Sequence, residues 1–357
     1  MATATSSSSP ALETVRILLL SQVFHPTVGG IQSVSRVLAE EFLNLGHDVA
    51  VATRTPSTEP DGTSYEIVRQ PSILQLLRLA QGADLVIQQH IGLRTVWCGL
   101  LARKPTVTVL HMPASNGARV QSWPALLTER LKWLVTSRTD LVAVSDFVAR
   151  SLSIPAEVIP NPYDDNVFRL LPCVRPRKDL AFVGRLIPEK GLHVLLRALR
   201  KLNLAGQRRT LTVVGDGPQR PELVRLTTDY GLVAQVKFVG ACQPSEVATI
   251  LNANNILVVP SVWQEPFGIV ALEGLACGCV VVATERGGLP EATGKCGVTV
   301  PNDDSDALAQ AVAGLLRNPA QIAELRSRAP GHLLRFTRRA CASAYIRLAE
   351  SLQSEAK

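Results

Sequence analysis

Asn255-Ile256-Leu257-Val258-Val259-Pro260-Ser261-Val262-Trp263-Gln264-Glu265-Pro266-Phe267-Gly268-Ile269-Val270-Ala271-Leu272-Glu273 is the stretch from which the fold follows. Its opening, Asn255–Val259, is a short apolar, β-branched run, the signature of a strand buried on both faces. A loop follows, and Pro266 suits the first turn of a helix, where its missing N–H costs nothing. The spacing therefore predicts strand, loop and helix in succession. The amides of Phe267, Gly268 and Ile269 become free donors at the helix mouth.

The same alternation extends outward in both directions. Downstream and upstream in the second half, candidate strands are Asp179–Val183, Thr210–Gly215, Gln235–Val239, Cys279–Ala283 and Val298–Val300, separated by helical stretches such as Gly191–Leu202 and Ala307–Leu316. In the first half they are Val15–Leu20, Asp48–Thr53, Asp84–Gln88, Pro105–Leu110 and Asp140–Val144, with a helical run at Ile31–Leu45. Strands alternating with helices predict an α/β protein whose parallel sheets are covered on both faces. Pro155, Pro160, Pro162, Pro172 and Pro176 interrupt the pattern. That proline density opposes helix and central strand and marks a linker. The expected organisation is a disordered tail over 1–14, a first doubly wound domain over 15–160, a linker over 161–176 and a second over 177–335. A C-terminal amphipathic helix over 336–357 follows, and no spacing rule decides whether it crosses back onto the first domain. Open sheets of this kind bind ligands beyond the carboxyl ends of their strands, so two of them facing each other make a cleft.

Composition excludes several classes. With 357 residues, 46% hydrophobic and 19% charged, the chain can fill two cores and is not disordered. No run approaches the roughly 20 apolar residues of a membrane-spanning helix. Met1–Thr14 has no Lys or Arg and so lacks the basic start of a secretory signal, which predicts a cytoplasmic protein. Seven scattered cysteines (Cys98, Cys173, Cys242, Cys277, Cys279, Cys296, Cys341) are odd in number and lack zinc spacing, and reduced, mostly buried thiols are expected. Net charge is +7, and the surplus belongs to residues 173–357, with 23 basic and 16 acidic side chains against 14 and 14 before them. Aromatics are only 4% and no basic run interleaves with them, which argues against nucleic acid. A phosphorylated ligand or an anionic membrane remains.

Several loops carry chemistry. Gly29-Gly30 precede a helix and leave backbone amides open to an anion, or form a plain tight turn. In Val183-Gly184-Arg185-Leu186-Ile187-Pro188-Glu189-Lys190-Gly191 a strand ends and a helix begins, with Arg185 and Lys190 able to converge on one diphosphate or to stand as solvated surface cations. Val214-Gly215-Asp216-Gly217-Pro218 is another strand-end turn, in which Asp216 reads as a helix cap. Glu265 and Glu273 flank the mouth of the helix opened by Phe267–Ile269; one can face a polyol there and the other a vicinal diol such as ribose. Dipole compensation and plain surface exposure are the alternatives.

Taken together, these segments resemble family 4 retaining glycosyltransferases of the GT-B fold, two Rossmann-like domains facing across a cleft. The likeness covers almost the whole chain after Thr14, and the two glutamates in the setting EPFGIVALE are its most specific mark. The resemblance implies a nucleotide-diphosphate sugar, UDP-linked by expectation, held mostly by the second domain, and a glycan or lipid-linked acceptor on the first. It assigns Arg185 and Lys190 to the departing diphosphate, Glu273 to ribose and Glu265 to the donor sugar. The amides of Phe267, Gly268 and Ile269, with Gly29, Gly30, Gly184 and Gly215, complete the cradle. His111, at the end of Pro105–Leu110, matches the family position that faces the transferred sugar; the bland reading is a satisfied strand-end histidine. The following Met112-Pro113 departs from the polar residue more common in the family.

Retention is inherited from the resemblance, without a covalent enzyme intermediate. No metal or cofactor is expected, and Asp304-x-Asp306 reads as helix capping rather than as a metal pair. Residues 119–138 place Trp123, Leu127, Leu131 and Leu134 at helical spacing among Arg119, Arg130, Lys132 and Arg138, either a core-packing face or an interfacial helix on an anionic membrane. The expected activity is metal-independent hexosyl transfer in surface polysaccharide or glycolipid synthesis. A GT-B sugar-nucleotide 2-epimerase and a catalytically silent nucleotide-sugar-binding protein are the alternatives.

Overall fold

The computed structural model describes residues 14–26, 29–58, 60–89, 91–92, 95–113, 130, 132–172 and 178–355. All of the expected tail over 1–14 but Thr14, and most of the expected interfacial helix over 119–138, lie outside the described residues, as does Cys173.

Two wholly parallel sheets organise the chain. The first contains β1 (Arg16–Ser21), β2 (Asp48–Thr53), β3 (Glu66–Arg69), β4 (Leu85–Gln88), β5 (Thr106–Leu110), β6 (Asp140–Ala143) and β7 (Glu157–Val158), in the order β3-β2-β1-β4-β5-β6-β7. The second contains β8 (Lys178–Val183), β9 (Leu211–Val214), β10 (Val236–Gly240), β11 (Asn254–Val259), β12 (Val280–Thr284) and β13 (Gly297–Val300), in the order β10-β9-β8-β11-β12-β13. Strand order reverses between β1 and β4 and again between β8 and β11. Loops splay apart at such points and leave a crevice beyond the strand ends.

Central strands such as β4, β5, β9 and β12 are buried along their whole length, which is why they are built mainly of apolar residues and threonine. Two strands escape the sequence reading. β3 is an edge strand and only partly buried, so it carries no apolar run. β7 is two residues long, an edge strand lodged between Pro155 and Pro160, where only a ladder's outermost position tolerates such neighbours.

Helices α1 (Gly30–Asn44) and α2 (Ile73–Gly82) belong to the first sheet, and α3 (Leu192–Leu204) and α4 (Ile269–Ala276) to the second. The last helix, α5 (Arg338–Glu355), starts two residues later than the apolar pattern suggests, because Leu334–Phe336 form a 3₁₀ turn and Thr337 is extended. It packs on α1, with the Tyr345 and Phe42 rings edge to face at 6.3 Å. At its start Arg338, 5% exposed, pairs with Glu40 at 3.0 Å, Glu41 at 3.4 Å and Asp164 at 3.2 Å. The chain thus leaves the second domain and is pinned to the first. One apolar cluster runs without a break from Ile17 and Phe42 through Phe267 and Phe336 to Tyr345, so the two sheets share part of their core.

Cys98, Cys277, Cys279, Cys296 and Cys341 are buried free thiols, and burial pushes Cys98 up to about 11 and Cys341 up to about 12. Asp304 accepts from the amides of Asp306 and Ala307, each at 2.9 Å, and so caps the helix Ser305–Arg317. Asp306 pairs with Lys201 at 2.6 Å. Among the described residues no helix is long and apolar enough to cross a membrane.

Candidate active site

The loop after β8 and the loop after β11 are locked together by a backbone approach that only glycine permits. Gly191 sits at φ +69°, and a Cβ there would lie 1.9 Å from the Pro260 carbonyl oxygen. The Val262 amide donates to the Glu189 carbonyl at 2.9 Å. This contact brings Lys190 onto Glu265: the ammonium lies 2.5 Å from Oε1, which also accepts from the Ser261 hydroxyl at 2.7 Å. Glu265 is 7% exposed, so its charge is held by a partner rather than by water. The sequence reading sends Lys190 to a diphosphate and Glu265 to a sugar as separate groups. The fold couples them into one ion pair, and Arg185 stands exposed with no ion pair among the described residues.

Glu265 is gripped from the other side by the loop after β12. Its carbonyl accepts from the Gly288 amide at 2.7 Å, and a Cβ on Gly287, at φ +71°, would fall 2.2 Å from that same oxygen. Ser261, Gly287 and Gly288 are absent from the residues singled out by sequence. The signal available for the glycines was their position: a glycine pair in the loop that follows a strand, like Gly29-Gly30.

The helix does not start at Pro266. It starts at Ile269, because Gly268 takes φ +106°, a left-handed value that ends any helix arriving from its N-terminal side. A Cβ on Gly268 would meet Leu289 at 2.5 Å. The amides of Phe267, Gly268 and Ile269 still have no acceptor among the described residues and form a row at the mouth of α4. The Phe267 ring points into the core, 5.7 Å from Phe336, so this residue offers its backbone and not its side chain.

Glu273 lies on the second turn of α4, hemmed in by protein though part of its surface stays open. Desolvation, with a smaller repulsion from Asp164, pushes its carboxyl from 4.5 up to about 7. No hydrogen-bond donor to that carboxylate is present among the described residues. An acid left in this condition is suited to hydroxyls brought by a ligand.

The two remaining glycines of the second domain differ. Gly184 follows β8 with only side chains near where its Cβ would stand, and its amide donates to the Val214 carbonyl at 3.1 Å. Gly215, expected to touch the donor, has its amide bound to the Gly240 carbonyl at 2.7 Å, and a Cβ at its φ of +128° would lie 1.9 Å from the Gly184 oxygen. It shapes the loop by close packing and has no amide to give. Asp216 accepts from the Gly217 amide at 2.7 Å and pairs with Arg220 at 3.3 Å.

On the facing domain, Gly29 precedes α1 in an extended conformation, with the Gln32 side chain 2.5 Å from where its Cβ would stand, and Gly30 opens the helix with nothing among the described residues within 4 Å of its Cβ position. His111 follows β5, is 7% exposed, and its Nε2 is 2.8 Å from Gln89 Oε1. Gln89, itself fully buried, has an amide nitrogen without a hydrogen-bond partner among the described residues, and sequence gave no sign of it. The domains also touch directly: Ser145 Oγ donates to the Pro266 carbonyl at 2.6 Å, and the Asp146 amide donates to Glu291 at 2.9 Å.

Comparison with known proteins agrees with this architecture. Residues 28–167 match the family model Glycosyltransferase Family 4, and residues 172–331 match Glycosyl transferases group 1. The chain is 28% identical to glycogen synthase of Mycobacterium tuberculosis, over 88% of this chain and 89% of that one. It is also 28% identical to a GDP-mannose-dependent alpha-(1-6)-phosphatidylinositol monomannoside mannosyltransferase of Mycolicibacterium smegmatis, over 87% and 91%. Among solved structures, Anabaena HepE in complex with UDP-glucose superposes with a TM-score of 0.79 at 23% identity, over 95% of this chain and 100% of that one. The two matched segments divide where the two sheets divide, and the chain belongs to the family 4 glycosyltransferases with the GT-B fold.

Proposed function

We propose that this glycosyltransferase moves a hexosyl unit from a UDP-linked sugar to an acceptor hydroxyl with retention of configuration, and that no metal ion is required. The observation that carries the reading is the arrangement at α4: three amides with no acceptor among the described residues, set between two carboxylates, with the Lys190 ammonium on Glu265 and Arg185 exposed on the same loop as Lys190. Arg185 and Lys190 neutralise the charge that develops on the leaving diphosphate, and the amides of Phe267, Gly268 and Ile269 add fixed dipoles. Glu265, held by Lys190 and Ser261, orients donor-sugar hydroxyls, Glu273 takes the ribose diol, and His111 faces the sugar from the first domain.

In the transfer step the bond from the sugar C1 to the phosphate oxygen breaks while a bond to the acceptor oxygen forms on the same face. The acceptor proton passes to the departing phosphate, leaving a free nucleoside diphosphate. Neither glutamate becomes glycosylated, since both belong to the donor domain and serve hydroxyls. The acceptor is a glycan or lipid-linked sugar on the cytoplasmic side of a membrane, in surface polysaccharide or glycolipid synthesis.

UDP-glucose in the Anabaena structure supports the choice of nucleotide, and the GDP-mannose-dependent relative supplies its sharpest competitor. Incubation with a panel of UDP-, GDP- and ADP-hexoses in the presence of chelator tests the reading, followed by NMR of the anomeric proton. Glycosylated product with UDP released is expected. Epimerised sugar without acceptor consumption, or binding without turnover, would replace the transferase reading with one of its alternatives.

A further inference from the structure

The first sheet ends in a hollow of about 280 Å³ that none of the residues above occupies. Small-molecule sites start at about this size. Its floor is apolar, including Leu20 and Leu76, and its rim is polar, with Gln22, Arg54, Gln70 and Thr95. Because β1 to β5 are parallel, the loops after β1, β2 and β3 that build this rim emerge at the same edge of the sheet as Gln89 and His111.

Two arginines stand near this edge, and their surroundings separate them. Arg69 is consumed by structure: it pairs with Asp61 and donates to the Thr55 carbonyl at 2.8 Å and the His25 carbonyl at 2.9 Å. Arg54 is exposed at the rim and makes no hydrogen bond or ion pair among the described residues. Beside it Gln70 adopts φ +49°, a left-handed backbone that non-glycine residues seldom hold, and is tied there by its amide donating to the Thr53 carbonyl at 2.7 Å. Such strain persists where surrounding structure imposes it, often at ligand sites.

We propose that this hollow receives the acceptor and that Arg54 selects a polyol bearing an anionic group, a phosphate ester or a carboxylate. A planar guanidinium fork with no counter-charge among the described residues is matched by two oxygens of such a group, and a neutral sugar leaves it unanswered. The apolar floor takes the carbon face of the polyol, while Gln22, Gln70 and Thr95 meet its hydroxyls. The inference rests on the transferase reading of the donor cleft and narrows its acceptor to a glycan or lipid-linked sugar that carries such an anion.

The test is calorimetric titration of sorbitol 6-phosphate, glucose 6-phosphate and gluconate, each against its neutral parent, into the wild type, R54A, R54K and R185A. At least one anionic ligand is expected to bind tenfold or more tightly than its parent in the wild type and in R185A. R54A should erase that preference and R54K should retain part of it. Whether the phosphates or gluconate win identifies the anion. No preference for any anion overturns the inference, as does a preference that survives in R54A, or one lost in R185A and kept in R54A, which would seat the anion in the donor cleft. Donor breakdown is followed in parallel: Arg54-dependent binding with no sugar transferred to any acceptor would leave the anion site standing and refute the transferase reading instead.

Discussion

Replacing Glu273 with Gln should make the protein more stable and a poorer binder of nucleotide at the same time. Desolvation raises the carboxyl from 4.5 to about 7, so the folded state holds this proton more tightly than the unfolded chain does. For an acid shifted upward, the stabilisation is complete below pH 4.5 and is lost as pH rises through about 7. Ionising Glu273 above that point costs up to about 3 kcal/mol of stability, an upper bound because part of the side chain meets water. Gln has the shape of the protonated acid and never charges. Urea denaturation should therefore separate E273Q from the wild type by less than about 1 kcal/mol at pH 5 and by up to about 3 kcal/mol at pH 8, the variant being the more stable.

Binding should move the opposite way. Hydrogen bonds to a charged group are worth about 1.5–3 kcal/mol, so UDP affinity in E273Q should fall roughly 10- to 100-fold at pH 8. The wild-type advantage should shrink toward pH 5, where Glu273 is protonated; the diphosphate's own ionisation acts equally on both proteins. Equal or lower stability of E273Q at pH 8, or unchanged UDP affinity, would refute the reasoning.

Three further substitutions probe the frame around the site. Arg185→Ala removes an exposed cation with no ion pair among the described residues, so UDP affinity measured by calorimetry should drop about tenfold or more while the urea midpoint stays put. Gly215→Ala forces a side chain to φ +128° and toward the Gly184 oxygen, and thermal unfolding should report a loss of about 2–3 kcal/mol. Arg338→Ala leaves Glu40, Glu41 and Asp164 without their shared cation, and a loss of about 3 kcal/mol is expected in denaturation, against no change for the exposed neighbour in Arg339→Ala.

The alternation of apolar strands with amphipathic helices was enough, without coordinates, to establish the α/β class, the two domains and most strand positions. Burial on both faces is written directly into runs such as Ile256–Val259 and Val280–Ala283. The loops proposed to hold the donor were legible in the same way, because open sheets put their ligands at strand ends, and Gly184-Arg185, Lys190-Gly191 and Glu265–Glu273 all follow strands. Edge elements β3 and β7 stayed hidden because half-exposed, very short strands need no distinctive residues. Tertiary structure alone decided that Lys190 answers Glu265 across 75 positions, that Gly215 packs rather than binds, and that Arg338 reaches Glu40 across 298. It also decided that Arg69 is spent on Asp61 while Arg54 has no ion pair among the described residues. The reason is physical: periodicity records how much water a residue sees, whereas the partner of a charge depends on which distant loop the fold brings within a few ångströms.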